Sequence, residues 1–161
     1  MMTVLSVAQR GEAILGIVSA EISKQELKAE WLKQLTLAMH ETMLERNGVG
    51  IAAPQVYVSK RVIIVASRPN LRYPDAPEMD AIVMVNPVIL EKSNQKILGE
   101  EGCLSVPNER GQVARAQKIK VRYLTLNGET IETKFEGFPA RIVQHEIDHL
   151  DGILFVERLV P

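Results

Sequence analysis

The chain has 161 residues, 46% hydrophobic and 24% charged, with a formal net charge of −1. That length suits one domain with a sizeable core, and the balanced charge argues against nucleic acid or an anionic membrane as the main partner. The single cysteine, Cys103, excludes an intrachain disulfide and fits a reducing compartment.

The apolar start Met1–Val7 leads to Ala13–Ala20. Gly16 and Ser19 interrupt that run, which is too short for a signal-peptide core and reads as a strand or buried loop. Residues Lys24–Arg46 read as a long N-terminal helix. Leu27, Trp31, Leu35, Met39 and Met43 recur at spacing four, and Leu32 and Ala38 widen the stripe. Ser23 and Glu26 form a capping box, and Asn47-Gly48 suits a left-handed stop. This stripe is expected to be core packing, and His40 within the helix a surface or cap residue.

Gly48-Val49-Gly50-Ile51-Ala52-Ala53-Pro54-Gln55 reads as a Gly-containing loop before the β-like run Arg61–Ala66. Ser67–Met79, with Pro69, Pro74 and Pro77, reads as a surface loop. Ala81–Leu90 is strand-like, and Pro87 marks an edge or bulge. Lys118–Leu126 and Thr130–Phe135 read as a hairpin around a type I′ Asn127-Gly128 turn. A last helix is expected from Pro139 to Asp151, with Gly152 at its C-terminal cap. The tail Ile153–Pro161 is partly apolar and should pack as a strand or loop. No run is long and apolar enough to span a bilayer.

The last helix carries His145-Glu146-Ile147-Asp148-His149, an H-E-x-x-H pattern in a chain with three histidines. Residues four apart on a helix differ by about 40° around the axis, so His145 and His149 share a face. Two imidazoles one turn apart can hold one metal ion, with Glu146 placed to take a proton from water. A catalytic site needs a third ligand and an open position. By residue type alone that ligand can be a Cys, Asp, Glu or His40. Cys103, in Glu101-Gly102-Cys103-Leu104-Ser105, is one such candidate.

Three segments together resemble the signature motifs of the peptide deformylases, in that family's order. They are Gly48–Gln55, Glu101–Ser105 and Gln144-His145-Glu146-Ile147-Asp148-His149-Leu150-Asp151-Gly152. Phe138-Pro139-Ala140-Arg141 also looks familial, and the similarity runs from about Trp31 to about Glu157. The resemblance implies an α+β fold, with antiparallel or mixed β-sheets packed around a central metal-binding helix and a long N-terminal helix. It implies one catalytic domain over residues 1–161. It also implies removal of the formyl group from the initiator methionine of new polypeptides.

The resemblance further assigns roles. Cys103, His145 and His149 hold one divalent ion, Fe(II) in most members, with Zn, Ni or Co able to occupy the site. Glu146 acts as general base for water activated on the ion. The Gln55 amide and the Leu104 backbone N–H stabilise the oxyanion. Val49, Gly50, Phe138, Arg141 (through its alkyl stem) and Ile142 contact the substrate, whose backbone adds along Gly48-Val49-Gly50. Glu101 pairs with an arginine, for which Arg115 is the positional candidate, and Asp148 has no catalytic role. Expected partners are N-formyl-methionyl nascent peptides and the ribosome exit region, with no direct nucleic-acid or membrane contact. The expected location is the cytoplasm, or an organelle in a eukaryote.

Two stretches depart from the family pattern. Gln9–Leu15 stands where many members carry an Asp-Pro followed by Leu-Arg, and many bacterial members continue into a C-terminal helix where this chain stops at Pro161. Stability, quaternary structure and ribosome contact are where those departures should tell. Two rival readings exist. A general zinc peptidase with the same H-E-x-x-H is opposed by the Gln55 and Cys103 motifs. A metal-binding homologue without catalysis is opposed by the intact Glu146, Gln55 and Cys103.

Overall fold

A computed structural model describes residues 3–161; Met1 and Met2, part of the expected apolar start, lie outside the described residues. Seven strands and three α-helices follow in the order α1 (Lys24–Leu27), α2 (Glu30–Glu45), β1 (Gly50–Ala52), β2 (Val62–Val65), β3 (Ile82–Lys92), β4 (Lys96–Cys103), β5 (Val106–Ala116), β6 (Lys118–Leu124), β7 (Thr130–Glu136) and α3 (Gly137–Leu150). Five strands form one sheet in the order β1-β2-β3-β6-β7, and β4 and β5 form a separate two-stranded ribbon. Every pairing between these strands is antiparallel, so the fold is α+β with antiparallel sheets.

The sheet lies between two helices, and β2 shows why. Its residues Val62-Ile63-Ile64-Val65 are all buried. Side chains alternate faces along a strand. Val62 and Ile64 therefore join Leu32, Met39 and Met43 of α2, while Ile63 and Val65 join Ile142, Val143 and Ile147 of α3. A third cluster, with Leu15, Cys103, Val113 and Phe155, seals the ribbon against the tail.

Several local expectations change. The long N-terminal helix is two helices, because Ala29 is extended (φ −74°, ψ 141°) and caps α2. A strict spacing of four drifts about 40° per step, so Trp31 cannot share a face with Met43. Trp31 is 42% exposed, and Leu32, Thr36, Met39 and Met43 form the buried line instead. The Ser23–Glu26 capping box is present on α1, and Asn47 takes the left-handed stop at φ 57°.

The first glycine-rich segment is not all loop. Gly50–Ala52 pairs with Ile63–Val65 as an edge strand, and Ala53–Val56 is a 3₁₀ turn. Ala13–Gly16 is also a 3₁₀ turn rather than a strand or plain buried loop. Pro87 sits in a bulge of the interior strand β3, where Asn86 takes φ 51°.

The β6–β7 turn is not type I′. That type needs positive φ at both central residues, and only Gly128 has it, at 85°. Gly128 N–H donates to Thr125 O and Thr125 N–H to Glu129 O, giving a three-residue loop with a left-handed glycine. Helix α3 begins at Gly137, two positions before Pro139, which still lies in its first turn. In the tail, Phe155–Arg158 forms a 3₁₀ turn and Leu159 bridges to Val113.

Candidate metal centre and its cavity

In helix α3 every residue from Ala140 to Leu150 is buried. His145 and His149 therefore project into protein, with ring centroids 5.2 Å apart. The β4–β5 ribbon supplies the third member. Its turn, Leu104-Ser105, places Cys103 beside the helix, with Sγ 3.3 Å from His149 Nε2.

The donor atoms of Cys103, His145 and His149 all lie within 4.8 Å of one another. Ligand bonds of about 2.3 Å (sulfur) and 2.0–2.1 Å (nitrogen) put tetrahedral S and N ligands about 3.6 Å apart. A divalent ion thus fits this group with little adjustment. His40 lies on α2 and is not a member.

Electrostatics favour the same reading. Burial opposes a charged thiolate, but the His149 and His145 rings outweigh it and hold the Cys103 thiol well below its ordinary value. Burial lowers His145, yet Cys103 and Glu101 raise it well above the ordinary imidazole value. A divalent ion bound by these three residues would take the place of the proton held within the set.

Gln55 is 2% exposed, and its amide is oriented from one side. Oε1 accepts from Ala52 N–H (2.9 Å), so Nε2 points to Ser105 Oγ (3.1 Å) and Cys103 Sγ (3.6 Å). Residues Ala8–Arg10, at the start of the departing stretch, brace both motifs. Ala8 N–H donates to Gln55 O (2.7 Å), Arg10 N–H to Ser105 O (2.9 Å) and Gln9 Nε2 to Leu104 O (3.4 Å).

Glu146 is buried, and its Oε1 has no hydrogen-bond partner among the described residues. Burial raises its pKa above the ordinary carboxylate value. Gly50 makes room for it: a Cβ there would lie 2.6 Å from Glu146 Oε2 and 2.8 Å from Ile142 Cγ2. The glycine is needed for that approach rather than for a turn.

Behind the centre lies a buried charge network. Glu101 accepts from Arg115 Nε and Nη2 (both 2.9 Å), from Arg141 Nη1 (2.7 Å) and from His145 Nδ1 (2.9 Å). Burial pushes the Glu101 carboxyl up, but Arg115 and His145 outweigh it and hold it well below the usual range. Asp148 extends the network by accepting from Arg115 Nη1 and Arg158 Nε, both 2.6 Å away.

A small cavity opens onto the centre. Val49, Gly50, Gln55, Cys103, Leu104, Phe138, Arg141, Ile142, His145 and Glu146 line it, and of the expected site residues only His149 sits behind the wall. Arg72 and Tyr73 line it too, contributed by the proline-rich loop, and the sequence reading missed both. Tyr73 Oη accepts from Gly102 N–H at 2.9 Å, and its ring lies 5.0 Å from that of Phe138. The available signal was an aromatic residue between Arg72 and Pro74 in a proline-rich loop.

The fold and the donor set define an α+β protein with a candidate site for a divalent ion at the floor of a cavity. A family model described as polypeptide deformylase matches residues 4–161. Peptide deformylase 2 of Shewanella oneidensis is 49% identical over 154 residues, covering 96% of this chain and 83% of that protein. A class I type b peptide deformylase from Acinetobacter baumannii, solved with Met-Ala-Ser bound, matches with TM-score 0.96 and 72% identity, covering 99% of this chain and 100% of that one. The peptide deformylase of Thermotoga maritima matches with TM-score 0.86 and 34% identity over 98% of this chain and 99% of that one. The chain belongs to the polypeptide deformylase family.

Proposed function

We propose that this chain is a metal-dependent hydrolase that removes the N-formyl group from the initiator formyl-methionine of newly synthesised polypeptides. The observation that carries the reading is the convergence of Cys103, His145 and His149 under the unpartnered carboxylate oxygen of Glu146 and the amide of Gln55. Residues 1–161 act as one catalytic unit, and the proposed ion is Fe(II), with Zn, Ni or Co able to replace it. A thiolate with two imidazoles suits several of these ions.

A bound divalent ion supplies a Lewis acid that polarises the formyl oxygen and acidifies water. Glu146 takes a proton from the attacking water as the water oxygen bonds to the formyl carbon. Gln55 Nε2 and the Leu104 N–H donate to the oxyanion that develops there. A neutral amide suits this role, because a carboxylate would repel the charge. Glu146 then gives its proton to the leaving amine as the C–N bond breaks, releasing formate and a free N-terminal methionine.

Val49, Phe138, Ile142 and the Arg141 stem form the walls for the methionine side chain. The peptide backbone adds along Gly48–Gly50 as an extra strand. Nascent chains meet the enzyme near the ribosome exit, in the cytoplasm. No helix among the described residues is long and apolar enough to cross a membrane.

The test compares a formyl-Met peptide with its unformylated twin, using protein purified anaerobically with iron. Formate release from the first and no cleavage of the second is expected. Cleavage of an internal peptide bond would favour the peptidase reading, and a fully loaded but inert protein would favour a binding role. Cys103→Ala is expected to lose tight metal binding by elemental analysis after dialysis. A variant that kept one ion per chain at parental affinity would remove Cys103 from the ligand set.

Gly50→Ala tests the packing beneath Glu146. The added methyl has to displace the Glu146 carboxylate or Ile142. A misplacement of about 1 Å can cost on the order of a hundredfold in rate. The expected outcome is a loss of that order in kcat with metal content unchanged. Parental kcat in this variant would show that Glu146 tolerates the shift.

A further inference from the structure

We propose that Arg141 is a positioning residue that clamps the β4–β5 ribbon, which delivers Cys103, to helix α3, which delivers His145 and His149. The proposal rests on the metal-binding reading of those three residues. It assigns the Arg141 guanidinium a task beyond this residue's place in the cavity wall.

Arg141 stands one turn before His145 on the same helix, and it is 7% exposed. Its guanidinium reaches both strands of the ribbon. Nη1 donates to Glu101 Oε2 (2.7 Å) and to Val113 O (2.9 Å), and Nη2 donates to Ile97 O (2.7 Å). Ile97 and Glu101 belong to β4, and Val113 to β5. One helical side chain therefore grips both strands that position Cys103.

Gly99 completes the fit. A Cβ there would lie 2.7 Å from Arg141 Cζ and Nη2, so β4 crosses flat over the guanidinium. Gly99 has no positive φ among the described residues, so space and not backbone conformation calls for glycine.

The clamp also aims His145. Each Glu101 oxygen takes two donors: Oε2 from Arg141 and Arg115, Oε1 from Arg115 and His145 Nδ1. With Oε2 filled by the two arginines, Oε1 faces His145 Nδ1, and His145 Nε2 is left for the ion. Partners of this kind fix the ring and its tautomer. Lysine cannot copy the arrangement, because one ammonium cannot present the planar fork that meets three acceptors.

The test uses cobalt-loaded protein and three variants, Arg141→Gln, Arg141→Lys and Gly99→Ala. The readouts are the rate of Co(II) loss to a chelator, the visible absorption spectrum, and kcat and KM on a formyl-Met peptide. Arg141→Gln is expected to lose Co(II) roughly ten- to a hundredfold faster, with a changed spectrum and a lower kcat at similar KM. Arg141→Lys should fall between it and the parent. Gly99→Ala, which replaces no residue of the cavity wall, should move the same readouts in the same direction. If Arg141→Gln fails to fold, the other two variants decide. Parental Co(II) retention and spectrum in Gly99→Ala and the folded Arg141 variants, with only KM raised, would overturn the proposal and leave Arg141 as a pocket wall. The metal readouts need no substrate. A parent protein that releases no formate would sink the deformylase reading while still testing the clamp.

Discussion

Glu146→Ala is expected to lower formate release by roughly a hundred- to ten-thousandfold, with the bound ion retained. The reason is where this carboxylate sits. It lies on α3 between two helical histidines, 4% exposed, with Oε1 lacking a partner among the described residues. A buried carboxylate oxygen left unpaired is costly, and no structural bond explains it here. Removing the group therefore takes away a proton carrier and leaves the ligand set standing. The check pairs steady-state kinetics with metal analysis on the same preparation. Retention of more than about a tenth of parental kcat would put the general base elsewhere.

The second large effect concerns stability. Glu101→Gln is expected to destabilise the fold by roughly 3–5 kcal/mol, because it leaves buried Arg115 and Arg141 without their carboxylate. Glu101 is 2% exposed and Arg115 5%, so water cannot replace the lost partner. In a domain of this size the drop in Tm should be on the order of 10 °C. The pH dependence has a definite sign. The folded Glu101 carboxyl is held below its unfolded value, chiefly by Arg115 and His145 acting against burial. Its contribution is thus complete above the unfolded carboxylate value of about 4.3 and is lost as pH falls toward the folded value. Acid unfolding should be steeper in the parent than in the variant. A denaturant titration showing under about 1 kcal/mol of loss would mean the arginines find other partners.

Helix α3 is legible in the sequence because its histidines repeat at a helical interval and glycine ends it. Legible too are the Glu101–Arg115 pair and the bulge at Pro87. The β4–β5 ribbon is not. Gly99-Glu100-Glu101 and Asn108-Glu109-Arg110-Gly111 carry no alternating apolar pattern, and the ribbon is held by pairing and by Arg141 instead. The break at Ala29 is hidden because both flanking segments have helical composition. Arg72 and Tyr73 reach the cavity through tertiary folding of a loop whose prolines announce only a turn. Sequence reading places the Arg141 stem at the pocket, but its guanidinium depends on the gap at Gly99, far off in the chain.

Phe155 stacks on His145 at 6.0 Å, and Arg158, on the same turn, holds Asp148 from outside the network. The polar groove behind α3 reaches Arg115 and Asp148, with none of the three donor residues in its wall. Cys103 and His145 open instead onto the cavity proposed for the peptide, and His149 lies beneath it at 1% exposure. Ion and peptide then share one doorway. On the proposed reading, loading would have to precede substrate, because a peptide seated in the cavity would close the way to the three donor residues.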